Sequence, residues 1–419
     1  MKGLKQLLLA RTKLILSFCL FAQVTKRRPE DFTRNRLFPF ERTIFFVLNS
    51  KKKSIQLEVD EFAAAVLPAG ATAGKDGMVK ARQKVGYEAF ETLFRATIDV
   101  AMEEDALPYH KGYRLYAIDG SQLMLPSTGD IPDHFGEVIK GLTHCTAHMS
   151  CLSELNTGYL VDALLDSYHR GERDFAEEHL KTLASFGGKK DVILADRGYP
   201  SGKLIHNTMQ RGQYILMRIP RNFNAQIDAQ SELETTKDLI IDGYAITARI
   251  IKLSLSSGET ETLLTNLPTE DFAYDDLGAL YAKRWGIETE YDRLKNAFQL
   301  ENFTGKTYLT IMQDFFATCY MTNMVASIAA EAQEELTEVE KDHNYKQEHK
   351  VNVHILIGRF KREFIQIVLL GDLMETNRRL DALVQQATRS YCSGSTKPPP
   401  PRNRKETHHK KSLPRKRAF

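Results

Sequence analysis

The stretch Tyr113-Arg114-Leu115-Tyr116-Ala117-Ile118-Asp119-Gly120-Ser121 decides the fold. Its first six residues, rich in aromatic and branched side chains, read as a strand, and Asp-Gly-Ser ends it with turn-forming residues. The same grammar recurs where Val192–Ala195 (VILA) runs into Asp196-Arg197-Gly198-Tyr199. Between them, Thr143–Met149 and Gly158–Leu165 alternate as further strands, and Asp174–Phe186 reads as a helix. Strands interleaved with helix indicate a mixed α/β domain. In open α/β sheets, ligands and reactive groups collect at the carboxyl ends of strands. Two aspartates there, each with a glycine within two residues, leave room for a divalent cation held by oxygen ligands. Asp-Gly is also a common turn, so neither aspartate alone decides the matter.

Working outward, residues 213–267 are β-rich, with Tyr214–Arg218, Tyr244–Leu255 and Glu261–Leu264 as strands and Ser256-Ser257-Gly258-Glu259 as a hairpin turn. After Pro268 the period is helical through Phe272–Phe298, Tyr308–Ala332 and 351–390. Phe315, Met321 and Met324 fall at core spacing. On the amino-terminal side, Ser54 is placed to cap a helix through Leu57, Phe62 and Val66, and Val79–Val100 reads as one helical run.

Charge is unevenly distributed. Residues 1–60 hold 13 Lys/Arg against 5 Asp/Glu, and residues 397–419 hold 9 against one. With a whole-chain charge of +3, the remainder stands at −13. Basic ends around an acidic centre suit a polyanion held by the flanks and cations held in the middle. Lys26-Arg27-Arg28 and Lys51-Lys52-Lys53 lie in or near connections and suit phosphate contact. The tail from Thr396 carries too few apolar residues to build a core, so disorder is expected there. Five scattered cysteines without a CxxC pair fit a reducing cytoplasm and argue against structural zinc. His144, Cys145, His148 and Cys151 alternate to opposite faces of a strand, and His169, Arg170, Glu172 and Arg173 read as a polar loop. Leu7–Ala10 and Leu14–Val24 are separated by Arg11 and Lys13, too short a pattern to span a bilayer; an amphipathic helix packed on the protein is expected.

The sharpest signal is Tyr281-Ala-Lys-Arg284-Trp285-Gly-Ile-Glu288-Thr-Glu-Tyr-Asp-Arg-Leu-Lys295. At about 100° per residue, Tyr281, Arg284, Glu288 and Lys295 fall within roughly 60° of one another on a helix. One stripe thus offers a phenol, a guanidinium, a carboxylate and an ammonium. Glu288 is placed to complete a three-carboxylate metal site, with cations beside it suited to phosphate oxygens. A solvated helix with Arg–Glu and Glu–Lys pairs has the same pattern, but Trp285, Ile287, Leu294 and Phe298 indicate partial burial.

Read in order, Asp119-Gly120, Asp196-Arg197-Gly198-Tyr199, the β-rich segment and then Tyr281, Arg284, Glu288 and Lys295 resemble the DDE transposases of bacterial insertion sequences that carry the YREK signature, the insertion-sequence-four type. Asp31-Phe32-Thr33-Arg34, Thr265-Asn266-Leu267 and the basic end extend the resemblance over nearly the whole chain. It implies a ribonuclease-H-like α/β catalytic domain interrupted by a β-rich insertion, with helical amino- and carboxyl-terminal regions. The implied organisation is a helical DNA-binding region over 1–105, catalytic segments at 106–212 and 268–332 around an insertion at 213–267, a helical region over 333–395 and a basic tail from 396 to 419. It further implies Asp119, Asp196 and Glu288 as catalytic residues binding two Mg²⁺ ions, with Mn²⁺ as substitute, and Tyr281, Arg284 and Lys295 as contacts to DNA. Expected partners are terminal inverted repeats, target DNA and a second copy in a synaptic homodimer, with no membrane; the expected location is the cytoplasm, at the nucleoid. The implied activity is cut-and-paste transposition. A structure-specific endonuclease on the same fold and a catalytically idle DNA-binding protein are the competing classes. The pattern departs from some relatives in one respect: the single tryptophan, Trp285, lies in the signature helix and not in the β-rich segment.

Overall fold

The computed structural model describes residues 1–34, 36–68, 70, 72–136, 144–187, 190–254, 258–341 and 349–393. The expected turn through Ser256-Ser257 and the basic tail lie outside the described residues. Helices α1 (Leu4–Ser17), α2 (Cys19–Thr25), α3 (Phe40–Leu48), α4 (Ile55–Val66), α5 (Lys75–Arg82) and α6 (Glu88–Glu103) precede strand β1 (Arg114–Leu125) and the short α7 (Ile131–Phe135). Then come β2 (Cys145–Glu154), β3 (Leu160–Ser167), α8 (Glu172–Ser185), β4 (Asp191–Ala195), α9 (Gly202–Gln210), β5 (Tyr214–Ile219), the single-turn α10 (Ala225–Asp228), β6 (Glu234–Ile241), β7 (Tyr244–Ser254) and β8 (Thr260–Thr265). Next, α11 (Tyr274–Ala282) and α12 (Gly286–Asp292) are joined by a 3₁₀ turn, and α13 (Tyr308–Lys341), β9 (His349–Val351), α14 (Val353–Ile365), α15 (Leu373–Thr388) and β10 (Tyr391–Ser393) follow.

The chain divides into two compact units. One, residues 107–122 and 148–291, is built on a single sheet of order β3-β2-β1-β4-β5-β8-β7-β6. Five residues link β2 to β3, too few for a parallel crossover, so they form a hairpin. The centre is parallel: β4 pairs with β1 on one side and β5 on the other. Beyond β5 the sheet turns antiparallel through β8, β7 and β6. The strands of the β-rich segment thus extend the same sheet. Their hairpin is sharp because Asp242 and Gly243, both at positive φ (51° and 84°), form the two-residue loop between the paired Ile241 and Tyr244. Gly202, at the start of α9, packs where a Cβ would collide with the Ile241 carbonyl, and its N–H donates to Asp242 Oδ2 at 2.8 Å. Against one face of the sheet, Leu277, Leu280 and Tyr281 of α11 pack on Leu115, Val192, Leu194, Leu216 and Leu263.

The other unit, residues 1–106, 123–147 and 292–419, is helical where described, apart from the ends of two strands and the small β9–β10 pair. Its centre is α13, 34 residues long and about 51 Å at 1.5 Å per residue, buried almost continuously from Thr310 to Ala329. Phe315, Met321 and Met324 are core side chains, as their spacing indicates. In α1, Leu4, Leu8, Leu9 and Leu16 are buried at helical spacing, the expected amphipathic helix packed on the protein. No single helix among the described residues is long and apolar enough to cross a membrane.

Three expectations are corrected here. The run Val79–Val100 is two helices, because Gly86 donates its N–H to the Thr25 carbonyl at 2.7 Å and an added Cβ would lie 2.9 Å from that oxygen. Lys52 is not a free cation for phosphate: it is 3% exposed and pairs at 3.4 Å with buried Asp314, which also takes Arg82 at 3.0 Å. Ser54 does stand at the start of α4, but its side chain makes no cap. The Glu58 carboxylate instead accepts the Lys51 and Lys53 N–H groups, at 3.2 and 2.7 Å.

Candidate active site

Strand register brings the two aspartates together. Every β1–β4 pair, from Arg114↔Asp191 to Ala117↔Leu194, is offset by 77 residues, and Asp119 and Asp196 share that offset two positions further on. Neighbouring strands are about 4.8 Å apart, so this shared offset sets the two residues at neighbouring positions, Asp119 within β1 and Asp196 just past the end of β4. β1 does not stop at Asp119, as its turn residues suggested; it continues to Leu125 beyond its pairing with β4. Asp196 does end its strand.

The Asp119 carboxyl is costly to ionise where it stands. Burial pushes its carboxyl up to about 6; the Gly120 N–H, which it accepts at 2.9 Å, and the Arg284 guanidinium oppose this, while Glu172 and Asp196 add to it. Glu172, read from the sequence as part of a polar loop, is in fact the first residue of α8 and close enough to act on Asp119. Arg170 of the same segment pairs with Asp166 at 2.9 Å and with Glu178, and lies over the Phe175 ring at 4.3 Å.

The signature segment is not one uniform α-helix. It passes from α11 through a 3₁₀ turn at Lys283–Trp285 into α12 and then a π-helical turn at Arg293–Ala297. Because 3₁₀ and π turns wind differently from α, the single stripe drawn by 100° steps is broken at both ends. Tyr281 is 4% exposed and donates its hydroxyl to the Ala195 carbonyl at 3.5 Å, next to Asp196. Arg284 is also 4% exposed; its guanidinium stands 4.7 Å from the Trp285 ring centroid, and its Nε has no hydrogen-bond partner among the described residues. Glu288 is half-buried in α12. Lys295 is half-buried in the π turn, past the point where the chain enters the helical unit.

Sequence reasoning passed over Tyr291. Its hydroxyl donates to the Asp119 carbonyl and accepts the Cys151 N–H at 3.2 Å. Tyr291 therefore pins α12, which bears Glu288, to the backbone of one aspartate, and Tyr281 pins α11 to the residue before the other. Their spacing of ten residues on one helix was visible; their acceptors, on strands far away in sequence, were not. His148, set aside with the cysteines, hydrogen-bonds through Nδ1 to the Arg170 carbonyl at 3.0 Å, which fixes Nδ1 as the protonated nitrogen of the neutral ring.

Among the described residues, no three His, Cys, Asp or Glu side chains converge closely enough to enclose a metal ion as the structure stands. The donor chemistry does fit a hard divalent cation. Asp119 and Asp196 both offer carboxylate oxygens, and a cation there would offset the cost of ionising Asp119 that burial imposes and Glu172 and Asp196 add to. In the helical unit, a cavity of about 470 Å³ is lined by Asp31, Phe32, Arg34, Arg36, Lys80 and Lys84, with Lys84 5.8 Å from the Phe32 ring centroid.

A mixed sheet with two in-register aspartates at its parallel centre and a pinned acidic helix beside them defines a class. Residues 110–324, just over half of the chain, match the family described as the transposase DDE domain. The chain belongs to that family. It is 23% identical over 266 residues to the transposase InsG of insertion sequence element IS4 from Escherichia coli K12, covering 59% of each chain. This chain thus spans about three-fifths of the length of that relative. In fold it is similar to the piggyBac transposase in its synaptic complex with hairpin DNA, with a TM-score of 0.50 at 11% identity over 91% of this chain and 84% of that one.

Proposed function

We propose that the protein is a DDE transposase that binds the terminal inverted repeats of its element and cuts and joins DNA at a site formed by Asp119, Asp196 and Glu288. The observation that carries this reading is the common 77-residue offset of Asp119 and Asp196 from the β1–β4 pairing, with the segment around Glu288 tied to the Ala195 carbonyl by Tyr281 and to the Asp119 carbonyl by Tyr291. On this reading the sheet unit is a ribonuclease-H-like catalytic domain with a β-rich insertion, and the helical regions flank it. Asp119, Asp196 and Glu288 would hold two divalent cations, Mg²⁺ or Mn²⁺, which would supply Lewis acidity at the scissile phosphate and lower the pKa of the attacking oxygen. The protein's own work is positioning and charge, as phosphoryl transfer demands.

Arg284 contributes a fixed cation. An unpaired buried donor costs about 1–3 kcal/mol, and a DNA phosphate oxygen would satisfy it with a charge-assisted bond. Tyr281 holds the helix in place, and Lys295 extends the positive charge toward the DNA. The basic cavity around Phe32, Arg34 and Arg36 supports end recognition by the first hundred residues, in a complex of two copies.

The test is a cleavage and joining assay on DNA carrying the ends of the element, with Mg²⁺. The reading predicts nicking at the terminal repeat and covalent joining of the 3′ end to target DNA. Cutting without joining supports the endonuclease reading instead, and binding without cutting supports the idle DNA-binding one.

A further inference from the structure

We infer that Glu172 is a fourth carboxylate of this metal site, set against the glycines that follow both aspartates and supplying an oxygen to a bound divalent cation. The inference rests on the reading of Asp119 and Asp196 as metal ligands and adds a residue to it. Glu172 opens α8, a 14-residue helix whose amino-terminal dipole favours a negative group. A Cβ built on Gly120 would lie 3.5 Å from Glu172 Oε1, and one built on Gly198 would lie 2.9 Å from Oε2. One carboxylate therefore spans the backbone just after Asp119 and just after Asp196. Both glycines have an ordinary φ, so what they provide is space and not an unusual backbone turn. At Gly120 the space is shared with His148 Nε2, 2.7 Å from the same Cβ position. Among the described residues Glu172 takes no hydrogen bond or ion pair, and it is exposed, so its oxygens are open to a ligand.

Tyr199 provides a second and independent observation. It is 1% exposed and its hydroxyl has no hydrogen-bond partner among the described residues. After burial, the influences on that hydroxyl are the charges of Asp119, Glu172 and Asp196, in that order. A buried donor left unsatisfied costs about 1–3 kcal/mol. Here the charges of three carboxylates act on it, and a cation with its bound waters would bring both an acceptor and positive charge. Glu172 and Tyr199 thus make the same demand from two sides of the aspartate pair.

The test uses the full-length protein without DNA and Mn²⁺ alone as the probe, followed by the electron paramagnetic resonance signal of free Mn²⁺ and by calorimetry. Glu172→Gln is expected to weaken Mn²⁺ binding about tenfold or more, with no loss of melting temperature in the absence of metal. Gly198→Ala, which keeps the charge but displaces the carboxylate, is expected to weaken it in the same direction. Asp119→Asn is measured in parallel. If Asp119→Asn loses Mn²⁺ while Glu172→Gln binds it like the wild type, the assignment of Glu172 is overturned and the aspartate site stands. If neither variant changes Mn²⁺ binding, or the wild type binds none, the metal site itself is overturned, and Glu172 with it.

Discussion

Asp119 carries a cost in the metal-free protein that its chemistry explains. Its carboxyl, at about 6, holds a proton that the unfolded chain has already released between its ordinary value near 4 and pH 6. The folded state binds more protons across that window, so its stability falls as pH rises through it. Above pH 6 the carboxylate is charged beside Glu172 and Asp196. Asp119→Asn removes that charge, and we predict a melting temperature higher by a few degrees at pH 8 in the absence of divalent ions, with little difference at pH 4. Because the group is partly exposed and screened, the gain is on the order of 1 kcal/mol. Melting curves at the two pH values check this; equal stability at pH 8 would count against charge crowding. At this scale the sequence was informative, since an aspartate followed by glycine after a strand marks a carboxylate with space around it. What fills that space was not legible, because Glu172 and His148 arrive from other elements through packing.

The signature segment is held at the level of elements by two phenols, and here the sequence indicated a helical segment but not its full geometry. The periodicity of apolar residues identified a partly buried helix over Phe272–Phe298. It carried no signal for the 3₁₀ and π turns, which reflect how the chain adjusts its winding to meet fixed strands. Tyr291→Phe should expose the consequence. It removes the donor to the Asp119 carbonyl and leaves the Cys151 N–H without its acceptor. We predict a loss of about 1–3 kcal/mol in stability. We also predict a fall in cleavage larger than any fall in DNA binding, since the segment bearing Glu288 loses one of its two ties. Denaturant unfolding and a paired gel-shift and cleavage series measure the two effects. Similarly, Gly86 divided a run that looked continuous, because the Thr25 carbonyl that requires it lies sixty residues earlier.

On the scale of whole units, the sheet was legible as mixed α/β and the carboxyl-terminal half as helical, whereas the ion cluster inside the helical unit was not. Lys52 belongs to a run of three lysines that looks like solvated surface, and Asp314 lies within an apolar helix. Only the fold joins them, together with Arg82. Against the upward push of burial, the charges of Arg82 and Lys52 hold the Asp314 carboxyl down at about 2. Its contribution is therefore present above its ordinary range and lost only as pH falls toward 2. Asp314→Asn leaves two buried cations without their anion and should destabilise the protein by about 3–5 kcal/mol at neutral pH, measured by urea unfolding. A change below 1 kcal/mol would show that the cluster relaxes into water.

The central claim concerns the whole molecule, and one measurement bears on it most directly. Glu288→Ala and Arg284→Ala are compared with the wild type for binding and Mg²⁺-dependent cleavage of DNA bearing the end of the element. If Glu288 is a metal ligand, its removal should leave end binding intact and lower cleavage by several orders of magnitude, with no recovery at higher DNA or Mg²⁺. Arg284→Ala should instead lose about 1–3 kcal/mol of end binding and recover part of its cleavage when DNA is raised. Cleavage at the wild-type rate by Glu288→Ala would contradict the assignment of Asp119, Asp196 and Glu288 as the catalytic carboxylates.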